Sequence, residues 1–123
     1  DPIYWYKMPA DATPENGSKN NLDALVSNPG PRLGQQAESS YENGKITMSP
    51  SDFLVLYTDG LPEGKNPGAS DEYGERKFMR SIGAHAHKDP SAIREGIIAD
   101  FRKYVQGEPL HDDVTLAICQ FKK

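Results

Sequence analysis

The sequence predicts an α+β domain, on three observations. Phe53-Leu54-Val55-Leu56-Tyr57 is an unbroken apolar and aromatic run, too short for a helix and rich in strand formers. Val114 to Phe121 is a second such run, apolar on both sides for most of its length. Between them, Ile93, Ile97, Ile98, Phe101, Tyr104 and Val105 fall on one stripe at helical spacing, which predicts a helix from Pro90 to about Gln106.

The other elements follow in order. Ile3 to Met8, bounded by Pro2 and Pro9, is β-branched and aromatic and reads as a strand. Tyr4-Trp5-Tyr6 within it could stack bases or sugars, but the acidic balance of the chain favours a half-buried sheet strand. Asp11 to Asn21 is polar, with Pro14 and Asn16-Gly17, and predicts a mobile loop. Leu22 to Val26 is a short strand or a turn, and Asn28-Pro29-Gly30-Pro31 is a firm break. Tyr41 to Met48 has the pattern of a hairpin turning at Asn43-Gly44. Two prolines and several glycines between Leu61 and Gly74 predict a surface loop. Phe78, Met79 and Ile82 give Glu75 to Ala84 one apolar helical face. His85 and His87 then fall in a polar connection, with a solvated loop favoured over metal ligation. Asp89 is placed to cap the long helix with Pro90 at its first position, and Gly107 to stop it.

Composition narrows the function. With 123 residues, 36% hydrophobic and 26% charged, the chain suits one small domain with a lean core. A formal charge of −4 and scattered Lys and Arg argue against a nucleic-acid partner. The single cysteine, Cys119, excludes an internal disulfide and a Cys-rich zinc site. Its apolar surroundings predict a buried structural thiol rather than a nucleophile. No apolar stretch approaches the ~20 residues that span a bilayer, so no membrane segment and a cytoplasmic location are expected. The chain begins with Asp rather than Met, which predicts a piece of a longer protein.

Acidic residues stand at two strand ends: Asp59-Gly60 follows the first run and Asp112-Asp113 precede the second. If these strands pair antiparallel, Asp59 and Asp112 converge on one rim. Converging carboxylates repel unless a cation lies between them, and hard oxygen ligands favour Mg²⁺ or Mn²⁺ over zinc. The competing reading is that both acidic pairs merely shape turns.

Phe53 to Gly60, followed by Glu63 and Asn66, then Tyr73-Gly74-Glu75-Arg76, two helices and Asp112-Asp113-Val114-Thr115-Leu116, resembles the C-terminal half of the bacterial SpoIIE-like phosphatases. These are metal-dependent protein serine/threonine phosphatases of the PPM class. The likeness runs from about Pro31 to Phe121. It implies a four-layer α/β-β/α sandwich of two antiparallel sheets flanked by helices, incomplete here on the N-terminal side. It implies that Asp59 and Asp112 bind metal, that Gly60 makes a close turn, and that Asp113 orients the site or competes for the metal. Glu63 carries no assigned role. It further implies a two-metal Mn²⁺ or Mg²⁺ site, and no side-chain nucleophile, since metal-bound water attacks the phosphate. The implied partner is a phosphoprotein, in this family often an anti-sigma-factor antagonist.

The family places another metal-binding Asp in a Gly-rich Asp-x-x-Gly-His-Gly type motif ahead of the region matched by Ile3 to Met8. No such motif occurs here, and Asp59-Gly60 is the only Asp-Gly pair. Residues 1–123 are therefore expected to be the C-terminal part of such a domain. Weak metal binding, little activity alone and self-association through exposed sheet edges are expected with it. The alternative is a phosphatase-like module that binds or regulates without chemistry.

Overall fold

The computed structural model describes residues 2–26, 29–68 and 71–122. Four strands, β1 (Ile3–Tyr6), β2 (Leu22–Leu25), β3 (Phe53–Tyr57) and β4 (Leu116–Gln120), form one sheet in the order β2-β1-β3-β4. Every neighbouring pair is antiparallel. Two helices, α1 (Gly74–His85) and α2 (Pro90–Val105), run between β3 and β4 in the chain.

Alternation along the strands decides which face meets the helices. Tyr4 and Tyr6 of β1 and Phe53 and Val55 of β3 are buried. They join Phe78 and Ile82 of α1 and Ile93, Ile97 and Phe101 of α2 in one core. Tyr6 stacks on Phe53 with ring centroids 4.8 Å apart, and Phe78 meets the edge of Tyr57 at 4.6 Å. The opposite face carries Trp5, Leu54 and Leu56, all half-buried, and Ala117 and Cys119, both exposed. No strand or helix among the described residues covers it.

That bare face fits an incomplete sandwich and corrects the reading of Cys119. Residues 114–121 are apolar on both sides, as a strand between two layers would be. Among the described residues a single helical layer covers the sheet, so β4 alternates between half-buried and exposed positions. Cys119 points to the uncovered side and is an exposed thiol rather than a buried one.

Asp52 fixes how the chain enters β3. It is 3% exposed. Its carboxylate accepts hydrogen bonds from the Met8 N–H (2.9 Å), the Ser49 N–H (2.9 Å) and the Trp5 indole N–H (3.2 Å). A buried carboxylate satisfied by three donors ties the exit of β1 to the start of β3. The hairpin expected at 41–48 is absent, for these residues lie in no ladder and all but Met48 are exposed. Asn43-Gly44 supplies a turn signal without a buried face to hold the register. Pro29 to Pro31 form no regular element, as expected, while Asn28 of that break lies outside the described residues.

The helices begin and end for local reasons. The Asp89 carboxylate accepts from the Ser91 and Ala92 N–H groups, capping α2, with Pro90 in its first turn. Gln106 (φ 49°) and Gly107 (φ 83°) take the left-handed conformation that ends it. His85 closes α1 instead of lying in a solvated loop. Its Nε2 is 3.0 Å from Asp100 Oδ2 on α2, and Ser81 Oγ donates to that same oxygen at 2.6 Å.

Two polar stretches are more anchored than their composition predicts. The loop from Asp11 ends in a 3-10 turn, Lys19–Asn21, seated against α1. The seat is glycine on glycine. A Cβ on Gly83 would lie 2.7 Å from the Lys19 nitrogen, and one on Gly17 only 2.3 Å from the Gly83 carbonyl oxygen. The segment after Asp59 is not a plain surface loop either, since Leu61 and Tyr73 are buried in the core.

Candidate functional site

β3 and β4 pair in register from Phe53↔Gln120 to Tyr57↔Leu116. The end of one strand therefore lies beside the start of the other, which is the condition under which the two acidic segments share one rim. Thr58 extends this pairing past the ladder. Its N–H donates to the Thr115 carbonyl at 3.1 Å, and its hydroxyl donates to the Asp113 carbonyl at 3.0 Å. The same hydroxyl oxygen accepts from the Thr115 N–H at 2.9 Å. One threonine thus holds the two acidic segments together.

Gly60 permits the close approach. A Cβ there would stand 2.5 Å from the Asp113 carbonyl oxygen and 3.1 Å from that of Asp112. Backbone oxygens in a fixed turn cannot retreat cheaply, so the position excludes any side chain. Beyond it the chain folds tightly, with Leu61 N–H donating to the Thr58 carbonyl (3.1 Å) and Glu63 N–H to the Asp59 carbonyl (3.0 Å). Leu61 is fully buried. Gly64 lies against Phe101 and Val105 of α2, and its carbonyl accepts from the Tyr73 N–H at 2.7 Å. The acidic turn is therefore pinned on both sides to the core.

Asp59, Asp112 and Asp113 are all exposed at this rim. Asp112 Oδ1 accepts from the Asp113 N–H at 2.7 Å. Glu63 is exposed, and its backbone N–H joins the turn. Among the described residues no group of three or more His, Cys, Asp or Glu side chains is arranged to hold a metal ion. The donor chemistry is that of a hard cation, but the described residues do not complete a centre for one.

Beside the rim lies a cluster the sequence reading left without a role. The hydroxyls of Tyr4 and Tyr57 donate to the two oxygens of Glu75, at 2.8 and 2.9 Å. Their rings stack, with centroids 5.8 Å apart and planes 3° from parallel. Burial first, and then the adjoining Glu75 carboxylate, pushes the Tyr4 hydroxyl up to about 12 and raises Tyr57 further. The clamp ties the first turn of α1 to β1 and to the residue immediately before Thr58. Its only sequence signal is Tyr73-Gly74-Glu75-Arg76, whose partners lie on strands far away in the chain.

The architecture is shared with a solved PP2C domain. The SiaA-PP2C domain of Pseudomonas aeruginosa superposes with a TM-score of 0.72 over 98% of this chain and 43% of that one, at 18% sequence identity. Sheet and helix pair thus have the fold of part of a PP2C-type domain. Residues 17–122 match the family of Stage II sporulation protein E (SpoIIE), and the chain belongs to that family. Protein IcfG of Synechocystis sp. is 23% identical over 87 residues, which is 71% of this chain and 13% of IcfG. The chain thus spans less than half the length of either protein.

Proposed function

We propose that residues 1–123 are the C-terminal part of a PPM-type phosphatase domain that hydrolyses phosphoserine or phosphothreonine on a regulatory protein. In this reading Asp59 and Asp112 are two of the ligands for Mn²⁺ or Mg²⁺, and Asp113 and Gly60 shape the rim. The observation that supports it most is the stitching of Asp59 to Asp112-Asp113 through Thr58. Carboxylates on anchored turns are placed before any cation arrives, so little ordering remains when one binds. The same oxygen ligands suit both metals. The complete domain, rather than this chain alone, carries the activity, because a third ligand is absent from the described residues. That absence equally favours a second reading, a phosphatase-like module that docks a regulatory partner without chemistry.

Calorimetric titration of Mn²⁺ into the chain, with Asp59→Asn and Asp112→Asn alongside, tests the proposal. Weak saturable binding, lost in both variants, is the expected result. Binding that survives both substitutions overturns the ligand assignment. No binding in the unmodified chain would mean that the metal site needs ligands from outside these residues, leaving them a structural or partner-binding role on their own. Turnover of a phosphoprotein by this chain at ~1–10³ per second would refute the claim that further ligands are needed.

A further inference from the structure

The outer side of the helix pair carries a groove of about 470 Å³. Its floor is largely apolar, formed by Tyr73, Tyr104 and Ala84. Along α1, Lys77, Arg80 and Ala84 recur at i, i+3 and i+7 and share one stripe facing it. Lys103 lines it from α2.

The charge of this groove opposes that of the chain. The protein carries a formal net charge of −4, yet three cations meet here. Among the described residues none of the three forms an ion pair. Lys77 lies over the Tyr104 ring, 4.8 Å from its centroid, which leaves its charge unneutralised. The acidic lining residue is Asp100, one of whose oxygens is already engaged by Ser81 and His85. Tyr104 is held in place because its hydroxyl donates to the Asp71 and Glu72 carbonyls at 3.2 and 3.1 Å.

We propose that this α1–α2 groove docks an acidic peptide segment of a partner protein. Apolar side chains of the segment rest on the tyrosine floor, and its carboxylates meet Lys77, Arg80 and Lys103. Arg80 offers the planar fork that pairs both oxygens of a carboxylate. The shape favours a segment over a small anion. Pockets for small ligands bury about 70–90% of the ligand surface, whereas this groove is open to solvent along its length.

The probe is a fluorescein-labelled peptide of about a dozen residues alternating Glu and Leu, read by fluorescence anisotropy at low and physiological salt. A Lys/Leu peptide, ATP and inorganic phosphate serve as comparisons. Saturable binding of the acidic peptide, weakened by salt, is expected. Lys77→Glu/Lys103→Glu should weaken it by about tenfold or more, while Lys45→Glu, away from the groove, changes it less than about twofold. Amide shifts on binding should be confined to residues 66, 73–84 and 100–106. Equal binding by the double variant, equal binding of the Lys/Leu peptide, or binding of ATP or phosphate in place of the acidic peptide each overturns the proposal. So does the absence of peptide binding by a double variant and parent that are both folded by circular dichroism.

Discussion

Removing Glu75 should disturb the domain more than its half-exposed position suggests. Glu75→Ala deletes the acceptor of two tyrosine hydroxyls at once. A hydrogen bond to a charged acceptor contributes about 1.5–3 kcal/mol, and these bonds are only partly buried, so the lower end applies. Two of them give about 3 kcal/mol, a large share of the roughly 5–15 kcal/mol that holds a domain folded. Urea denaturation should show the midpoint falling by about 1–2 M with an unchanged slope. The diagnostic comparison is the same substitution in a Tyr4→Phe/Tyr57→Phe background. There the hydroxyls are already gone and Glu75 has lost its donors, so its removal should cost under ~1 kcal/mol. Equal losses in the two backgrounds would mean that Glu75 acts through something other than this clamp, and the reasoning would fail.

The same clamp sets an alkaline limit. The Tyr4 hydroxyl is raised from 10.0 to about 12, so its contribution is complete below pH 10 and lost as pH rises through 12. Melting temperature should fall over that interval, and Tyr4→Phe should flatten the fall. Gly60→Ala would push a methyl against the Asp113 and Asp112 carbonyls, so it should destabilise by about 1–3 kcal/mol and weaken any Mn²⁺ binding seen by calorimetry. Gly83→Ala sets two effects in opposition. Helix propensity favours alanine by about 0.8–1 kcal/mol, whereas contact with Lys19 and Ser18 opposes it. Backbone on backbone leaves little room, so net destabilisation with faster proteolysis near residues 11–18 is expected, and a rise in melting temperature would contradict the seating described.

Local chemistry explains what the sequence made legible. The Asp89-Pro90 start of α2, its apolar stripe and the two strands around the acidic rim rest on neighbours within a few residues. The convergence of Asp59 and Asp112 was legible only on condition that their strands pair antiparallel, which the register of β3 and β4 supplies. Other features depend on distant partners. Nothing near Leu61 announces that it is a core residue, because the core it joins is assembled from strands and helices distant in the chain. Asn43-Gly44 satisfied a local rule that tertiary structure did not use. Cys119 was misread since an apolar run does not state how many layers will cover it. The basic groove was invisible because Lys77, Arg80 and Lys103 reach one place only after two helices pair.

The strand order β2-β1-β3-β4 also governs how quickly the sheet can assemble. Strand β3 is paired on one side with β1 and on the other with β4, and the whole helix pair lies in the chain between β3 and β4. Each of these ladders closes a long loop, whose entropy must be lost before the pairing returns anything. The helix pair, joined by a short turn, faces no such delay and can form in microseconds. Collapse should therefore begin with α1 against α2. The ladders then close more slowly, on the timescale of non-local β pairing, up to milliseconds or longer. Until β4 docks, the outer edge of β3 and the acidic turn beyond it have no partner, so the rim that joins Asp59 to Asp112 is among the last features to form.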